Sequence, residues 1–160
     1  MNALIKCTWI AFFSMIIISV MTTTLSAQDS PAYMKAIKEI KDEFGTVPVM
    51  FEVYPKHALP GAWESFKQLN SPTSKIPAKY RELLQLAVAA QIPCQYCIYF
   101  HTAAAKAYGA TDEEIQEAVA QGAQTRQWSM ILQGNQIDLT AFKTEFDEMM
   151  RYMAAKASKG

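Results

Sequence analysis

The chain has 160 residues, enough for one domain of ordinary size and too few for two. Hydrophobic residues make up 51% of it, which allows a packed core and argues against wholesale disorder. Its 15 basic and 15 acidic side chains balance, so it lacks the strong basic excess expected of a nucleic-acid-binding protein.

The first 27 residues have the three parts of a secretory signal peptide. A short start carrying Lys6 precedes an apolar run over residues 9–21, and the tripeptide ending at Ala27 forms a small-residue cleavage site. We expect cleavage after Ala27, which would make residues 28–160 a periplasmic or extracellular protein without stable membrane association. An uncleaved anchor is the alternative, although about 13 apolar residues fall short of the roughly 20 that span a bilayer.

The mature chain has helical periodicity throughout, and the predicted fold class is all-α, a compact helical bundle. Apolar residues recur three or four positions apart, and proline and glycine mark the ends of each segment. The expected helices cover residues 31–44, 62–69, 77–91, 94–108, 111–130 and 139–155, with a helical turn at 48–54 and a clear loop at 71–76. No stretch alternates at period two, so no sheet is predicted.

Two of these helices carry further signals. Thr111 and Glu114 have the spacing of a capping box, in which each side chain bonds the backbone N–H of the other residue. The last helix has an apolar stripe that suits either core burial or an interface between subunits, and the sequence leaves both open. The stripe consists of Phe142, Phe146, Met149, Met150 and Met153.

Signal cleavage would leave Cys94 and Cys97 as the cysteines of the mature chain, in a compartment where disulfides persist. A bridge between residues three apart restricts the unfolded chain very little, so this pair suits chemistry better than stabilisation of the fold. With a nearby histidine the pair also forms part of a zinc-site pattern, but structural zinc needs four ligands. His57 lies beside a turn and is predicted to be a surface residue.

Cys94, Cys97 and His101 occupy positions i, i+3 and i+7 of one predicted helix, so their side chains share a face. Cys94 lies in the first turn, where unpaired N–H groups and the helix dipole stabilise a thiolate. His101 can then accept or supply a proton. Tyr96, Tyr99 and Phe100 on the same helix are most simply packing residues.

Glu82 lies on the preceding helix, twelve residues before Cys94. If the two helices pack antiparallel, its carboxylate faces the same region and can orient His101. The alternative is a solvated ion-pair partner of Arg81 or Lys79.

These four residues, Glu82, Cys94, Cys97 and His101, match the pattern E-x11-C-x2-C-x3-H, and the sequence resembles the alkylhydroperoxidase D and carboxymuconolactone decarboxylase family. The flanking residues 83–90, 101–106 and 109–115 are similar to that family too, and the resemblance covers residues 77–125 well. It implies that residues 28–160 form one helical domain of the alkylhydroperoxidase D type.

The resemblance also implies an activity, the reduction of hydrogen or alkyl hydroperoxides through a dithiol–disulfide cycle, for which we expect no cofactor and no metal. By resemblance, Cys97 is the peroxidatic cysteine and Cys94 resolves it to a disulfide, while Glu82 and His101 form the proton relay. Tyr96 stands where the alkylhydroperoxidase D proteins have a second histidine, which implies a shorter relay and a weaker turnover.

The resemblance further implies assembly as a homotrimer or homohexamer. The lipoyl reductants of cytosolic relatives would be absent outside the cytoplasm, so the dithiol partner is not identified. Three other activities stay open. They are thiol–disulfide exchange without peroxidase activity, a non-enzymatic binding role, and decarboxylase or lactone chemistry, against which the cysteine pair argues.

Overall fold

The computed structural model describes residues 30–158, and the predicted signal peptide lies outside this range. Its helices are α1 (Pro31–Phe44), α2 (Val49–Glu52), α3 (Leu59–Leu69), α4 (Ala78–Gln91), α5 (Gln95–Ala107), α6 (Asp112–Gly134) and α7 (Leu139–Ala157). No strand occurs among the described residues, and the all-α prediction is confirmed. None of the described helices is both long and apolar enough to cross a membrane.

The ends of these helices follow from local sequence. The Ser30 hydroxyl accepts a hydrogen bond from the Tyr33 N–H, and Pro31 occupies the first turn of α1, where no N–H partner is needed. Gly45 ends α1 in the left-handed conformation, at φ 74°, which costs glycine no steric strain. The capping box predicted for α6 is present, with both hydrogen bonds between Thr111 and Glu114 formed.

The chain divides into two compact units, and the boundary lies between Pro72 and Thr73, inside the predicted loop. In the first unit α1 packs against α3. Its core consists of Ala36, Ile40, Phe51, Leu59 and Trp63. The Trp63 indole N–H donates to Glu39 at 2.8 Å, so the polar atom of this buried side chain is paired.

In the second unit α4 packs against both α5 and α6. The buried side chains of α4 are Glu82, Leu83, Leu86 and Ala89, and Ala105 of α5 is fully buried. Gly122 of α6 lies directly against Ala87 of α4, and its carbonyl accepts a hydrogen bond from the Gln91 amide at 2.7 Å. These contacts leave one face of α4 to form a functional site with α5.

The remaining helix, α7, buries none of its side chains within the described chain. The five residues of its apolar stripe are between 36% and 54% exposed. The sequence left open whether this stripe is buried in the core or forms an interface between subunits. The structure shows that it is not buried in the core of the described chain.

Candidate active site

The site is built on α4 and α5, which form an antiparallel pair. The Cys94 N–H donates to the Ala89 carbonyl at 3.1 Å where the chain turns between the helices. Nineteen residues apart, Glu82 and His101 meet farther along the same pair. These two contacts show that α4 and α5 run antiparallel. This is the arrangement that was predicted to bring Glu82 to face His101.

The cysteine pair lies at the start of α5. Cys94 is the N-cap residue, and its sulfur accepts a hydrogen bond from the Cys97 N–H at 3.2 Å. A disulfide joins Cys94 and Cys97, whose Cα atoms are 5.3 Å apart. On reduction the Cys94 sulfur would keep its place among the free N–H groups of the first turn, which favour a thiolate.

Glu82 and His101 form a hydrogen-bonded pair with 2.8 Å between Oε2 and Nδ1. The Glu82 side chain is 7% exposed and that of His101 16% exposed, so solvent screens the pair poorly. An ionised Glu82 accepts the Nδ1–H, which leaves Nε2 of a neutral imidazole as a hydrogen-bond acceptor. The interpretation of Glu82 as a solvated partner of Arg81 or Lys79 is wrong, because Glu82 is buried and faces α5.

A cleft of about 260 Å³ opens beside these groups. One wall is formed by α5, through Cys97 and His101. The facing wall is one side of α4 and is mostly aliphatic, with Leu84, Gln85, Val88, Ala89 and Ile92. Cys97 therefore lies with His101 at an apolar cleft, whereas Cys94 is not among the residues that line it.

The other candidates of the sequence analysis lie elsewhere. Tyr96 and Tyr99 are 89% and 80% exposed, so the expectation that they are packing residues is wrong within the described chain. Phe100 is 44% exposed, and its ring packs edge to face against that of His101, with 5.2 Å between the ring centroids. His57 is exposed, as predicted, and belongs to the first unit. Across residues 30–158, no three His, Cys, Asp or Glu side chains are grouped to hold a metal ion.

Three residues of the cleft were not singled out from the sequence: Gln85, Ala89 and Ile92. Each lies three or four positions from Glu82, Gln85 or Val88, so the period of α4 carries a signal for them. That signal is weak on its own, because the helical period does not show which side of α4 faces α5. The packing of the two helices determines it.

Comparison with known proteins gives three matches. Residues 58–137 match the sequence profile of the carboxymuconolactone decarboxylase family. An uncharacterized protein of Cupriavidus necator is 30% identical over 87 residues, which are 52% of this chain and 70% of that protein. The crystal structure of an alkylhydroperoxidase AhpD core from Rhodospirillum rubrum superposes with a TM-score of 0.60 at 26% identity, covering 70% of this chain and 86% of that one.

Proposed function

This chain belongs to the carboxymuconolactone decarboxylase family, and from that premise we propose that it is a thiol peroxidase that reduces hydroperoxides through Cys97 and Cys94. The observation that carries the proposal is the placement of Cys97, paired to Cys94, at the same cleft as His101, whose Nδ1 is hydrogen-bonded to the buried Glu82. A thiol peroxidase that works through a dithiol–disulfide cycle uses this combination of nucleophile, proton acceptor and second thiol.

In the first step Cys97 attacks the peroxide. In the reduced protein His101 Nε2 takes the Cys97 thiol proton, and Glu82 stabilises the imidazolium through Nδ1. The thiolate attacks the terminal oxygen of ROOH, so that an S–O bond forms and the O–O bond breaks. The sulfur is oxidised by two electrons to a sulfenic acid, and the departing oxygen takes the proton from His101 and leaves as ROH or water.

In the second step Cys94 closes the cycle. Its sulfur attacks the sulfur of the Cys97 sulfenic acid, so that the S–S bond forms as the S–O bond breaks, and the departing hydroxide takes the Cys94 thiol proton and leaves as water. The 5.3 Å between the two Cα atoms already lies in the range of a disulfide, so this step requires no large movement of the backbone. An external dithiol then reduces the disulfide by exchange and is itself oxidised.

The test is peroxide consumption by residues 28–160 with a dithiol reductant, for wild type, Cys97→Ala and Cys94→Ala. We expect wild type to consume peroxide, Cys97→Ala to be inactive, and Cys94→Ala to accumulate one sulfenic acid, detected by its mass or by a sulfenate-specific probe. Equal inactivity of all three proteins would sink the peroxidase proposal.

The same assay separates the rival activities. A thiol–disulfide oxidoreductase would reduce a disulfide substrate and show no turnover that depends on peroxide. Decarboxylase or lactone chemistry would survive Cys97→Ala, and a binding module would show unchanged thiols after peroxide treatment. His101→Ala should impair peroxide reduction, while His57→Ala, in the other unit, serves as the matched control.

Export is part of the proposal and concerns residues outside the described range. Residues 1–27 have the composition of a signal peptide, and removal would place the dithiol in the periplasm or outside the cell. The reductant is then an exported dithiol protein rather than a cytosolic one. Mass spectrometry of the protein from an envelope fraction should find Gln28 at the N-terminus, whereas a Met1 N-terminus would contradict cleavage.

A further inference from the structure

On the wall of the cleft that α4 forms opposite α5, one side chain is polar and the others are aliphatic. This wall consists of one stripe at helical spacing, in which four members are aliphatic and one, Gln85, carries a primary carboxamide. Gln85 lies at the i+3 position from Glu82, so it is one turn along the same helix from the carboxylate that holds His101. Gln85 thus lines the same cleft as Cys97 and His101, from the wall that α4 forms.

Gln85 differs from the other glutamine of the same helix in its partners. Gln91 donates to the Gly122 carbonyl at 2.7 Å and thereby links α4 to α6. Within residues 30–158 no hydrogen bond of the half-buried Gln85 side chain is formed. A half-buried amide in an aliphatic wall with no partner in the protein has its donors and its acceptor free for a ligand.

We propose that Gln85 is the residue that binds and orients the hydroperoxide for attack by Cys97, an inference that rests on the proposed peroxidase function. A hydroperoxide has one O–H donor and acceptor lone pairs on both oxygens. The carboxamide oxygen accepts the O–H, and the carboxamide N–H donates to the oxygen that departs. The aliphatic side chains around Gln85 contact the organic part of the substrate.

Gln85 acts on the step in which the O–O bond breaks. The thiolate supplies the electron pair for the new S–O bond, and negative charge develops on the departing oxygen before the His101 proton reaches it. A fixed N–H donor stabilises that charge without transferring a proton, and it does so in a cleft where aliphatic walls weaken solvent screening. A carboxylate at this position would repel both the thiolate and the departing oxygen.

The experiment compares two reactions of the reduced protein, residues 28–160, that share the Cys97 thiolate. One is oxidation by tert-butyl hydroperoxide, and the other is alkylation by iodoacetamide, which needs no oriented oxygen. Cys94→Ala is the background, so that each reaction reports Cys97 alone. We expect Gln85→Leu to lower the second-order rate constant for the peroxide by about 10-fold to 100-fold and to leave alkylation unchanged. Gln85→Glu should lower the peroxide rate further.

Gln91→Leu is the matched control, since it removes the same side chain from a position of α4 that contacts α6 and does not line the cleft, and it should leave both reactions as in wild type. A peroxide rate for Gln85→Leu equal to that of wild type would overturn the inference. So would a parallel loss of both rates, because that result indicates a change in the thiolate or in the fold. If wild type itself does not react with the peroxide, the proposed function fails and the role of Gln85 fails with it.

Discussion

Among residues 30–158, Glu82 is the one charged side chain that is buried. Burial of a carboxylate is costly unless it is paired, and the 2.8 Å contact with His101 Nδ1 supplies the partner. The half-buried Glu39 and the exposed Glu64 belong instead to a network around Lys67, which lowers the pKa of both carboxyls through hydrogen bonds from its ammonium group. Glu82 is therefore placed for chemistry at the cleft rather than for surface pairing.

This pairing predicts the effect of Glu82→Gln. The amide oxygen can still accept from His101 Nδ1, so the fold should survive, but the negative charge that stabilises the imidazolium is lost. We expect the rate of Cys97 oxidation by peroxide to fall about 100-fold, with a thermal midpoint close to that of wild type. Stopped-flow kinetics and thermal unfolding measure the two quantities. Glu117→Gln, an exposed position on α6, should change neither. An unchanged rate in Glu82→Gln would remove Glu82 from the relay.

The residues of the site differ in how far the sequence predicts them. Cys97 and His101 lie four residues apart on α5, so their common face follows from the helical period alone, whereas Cys94 is the N-cap residue and does not line the cleft with them. Glu82 requires a contact over 19 residues of sequence, which periodicity does not supply and antiparallel packing does. The exposure of Tyr96 was not predicted, because an aromatic side chain gives no sign of whether its side of the helix meets a neighbour.

At the scale of elements, the close approach of α4 and α6 depends on Gly122. A Cβ atom at this position would lie 3.4 Å from the Cβ of Ala87, which is ordinary van der Waals contact. We therefore expect Gly122→Ala to stabilise the protein by about 0.5–1 kcal/mol through helix propensity, and Gly122→Leu to destabilise it by forcing the helices apart. Urea unfolding measures both.

Gly61 of α3 provides the matched control, because a Cβ atom there meets nothing within 4 Å. Gly61→Leu should be tolerated where Gly122→Leu is not. Equal effects of leucine at the two positions would show that Gly122 does not limit the approach of α4 and α6.

The pair formed by Lys79 and Glu114 links the same two helices and predicts a pH dependence. The Lys79 ammonium, 2.7 Å away, and the Thr111 backbone N–H together hold the pKa of Glu114 below its usual 4.5. A carboxyl whose pKa is lower in the folded than in the unfolded state stabilises the fold at pH above the unfolded value. That contribution disappears as the pH falls through the folded value.

Glu114→Gln should therefore lower the thermal midpoint at pH 7 and have little effect at a pH well below 4.5. The amide preserves the capping geometry, so the change reports the charge. Thr111→Ala is the control, since loss of its uncharged cap should cost about 1 kcal/mol at either pH. Thermal scans of the three proteins across this range give the comparison. A constant difference between Glu114→Gln and wild type at all pH values would contradict the linkage.

The ends of a helix were predicted correctly where the sequence has capping residues at those ends. The bounds of α1 were predicted correctly because Pro31 and Gly45 mark its two ends, and α6 begins as predicted because its capping box is formed. Its far end was predicted at residue 130 and lies at Gly134, and α3 begins three residues earlier than predicted. The α3 discrepancy arises because Pro60 and Gly61, predicted to precede the helix, lie within its first turn.

At the scale of the whole molecule, two apolar surfaces of the second unit lack partners within the described chain. One is the stripe on α7, which extends over 12 residues from Phe142 to Met153, about 16 Å of helix. The other is a groove between α4 and α6 lined by apolar side chains that include Leu84, Ala87 and Val88. Exposed apolar surface of this extent is typical of a subunit interface. We therefore propose a homo-oligomer, either a trimer or a hexamer, in which the α7 stripe is covered by a second copy of the chain.

A charged substitution in the α7 stripe should lower the molecular mass of the assembly in solution. A charge in the middle of the stripe, as in Met149→Glu, would have to be buried unpaired at the interface, and we expect it to convert the oligomer to monomer. Light scattering coupled to size-exclusion chromatography measures the mass, and circular dichroism verifies that the helices persist. Arg151→Glu alters the opposite face of α7 and should leave the oligomer intact. A monomeric wild type would contradict the interface, and an oligomer that survives Met149→Glu would place the interface elsewhere than on α7.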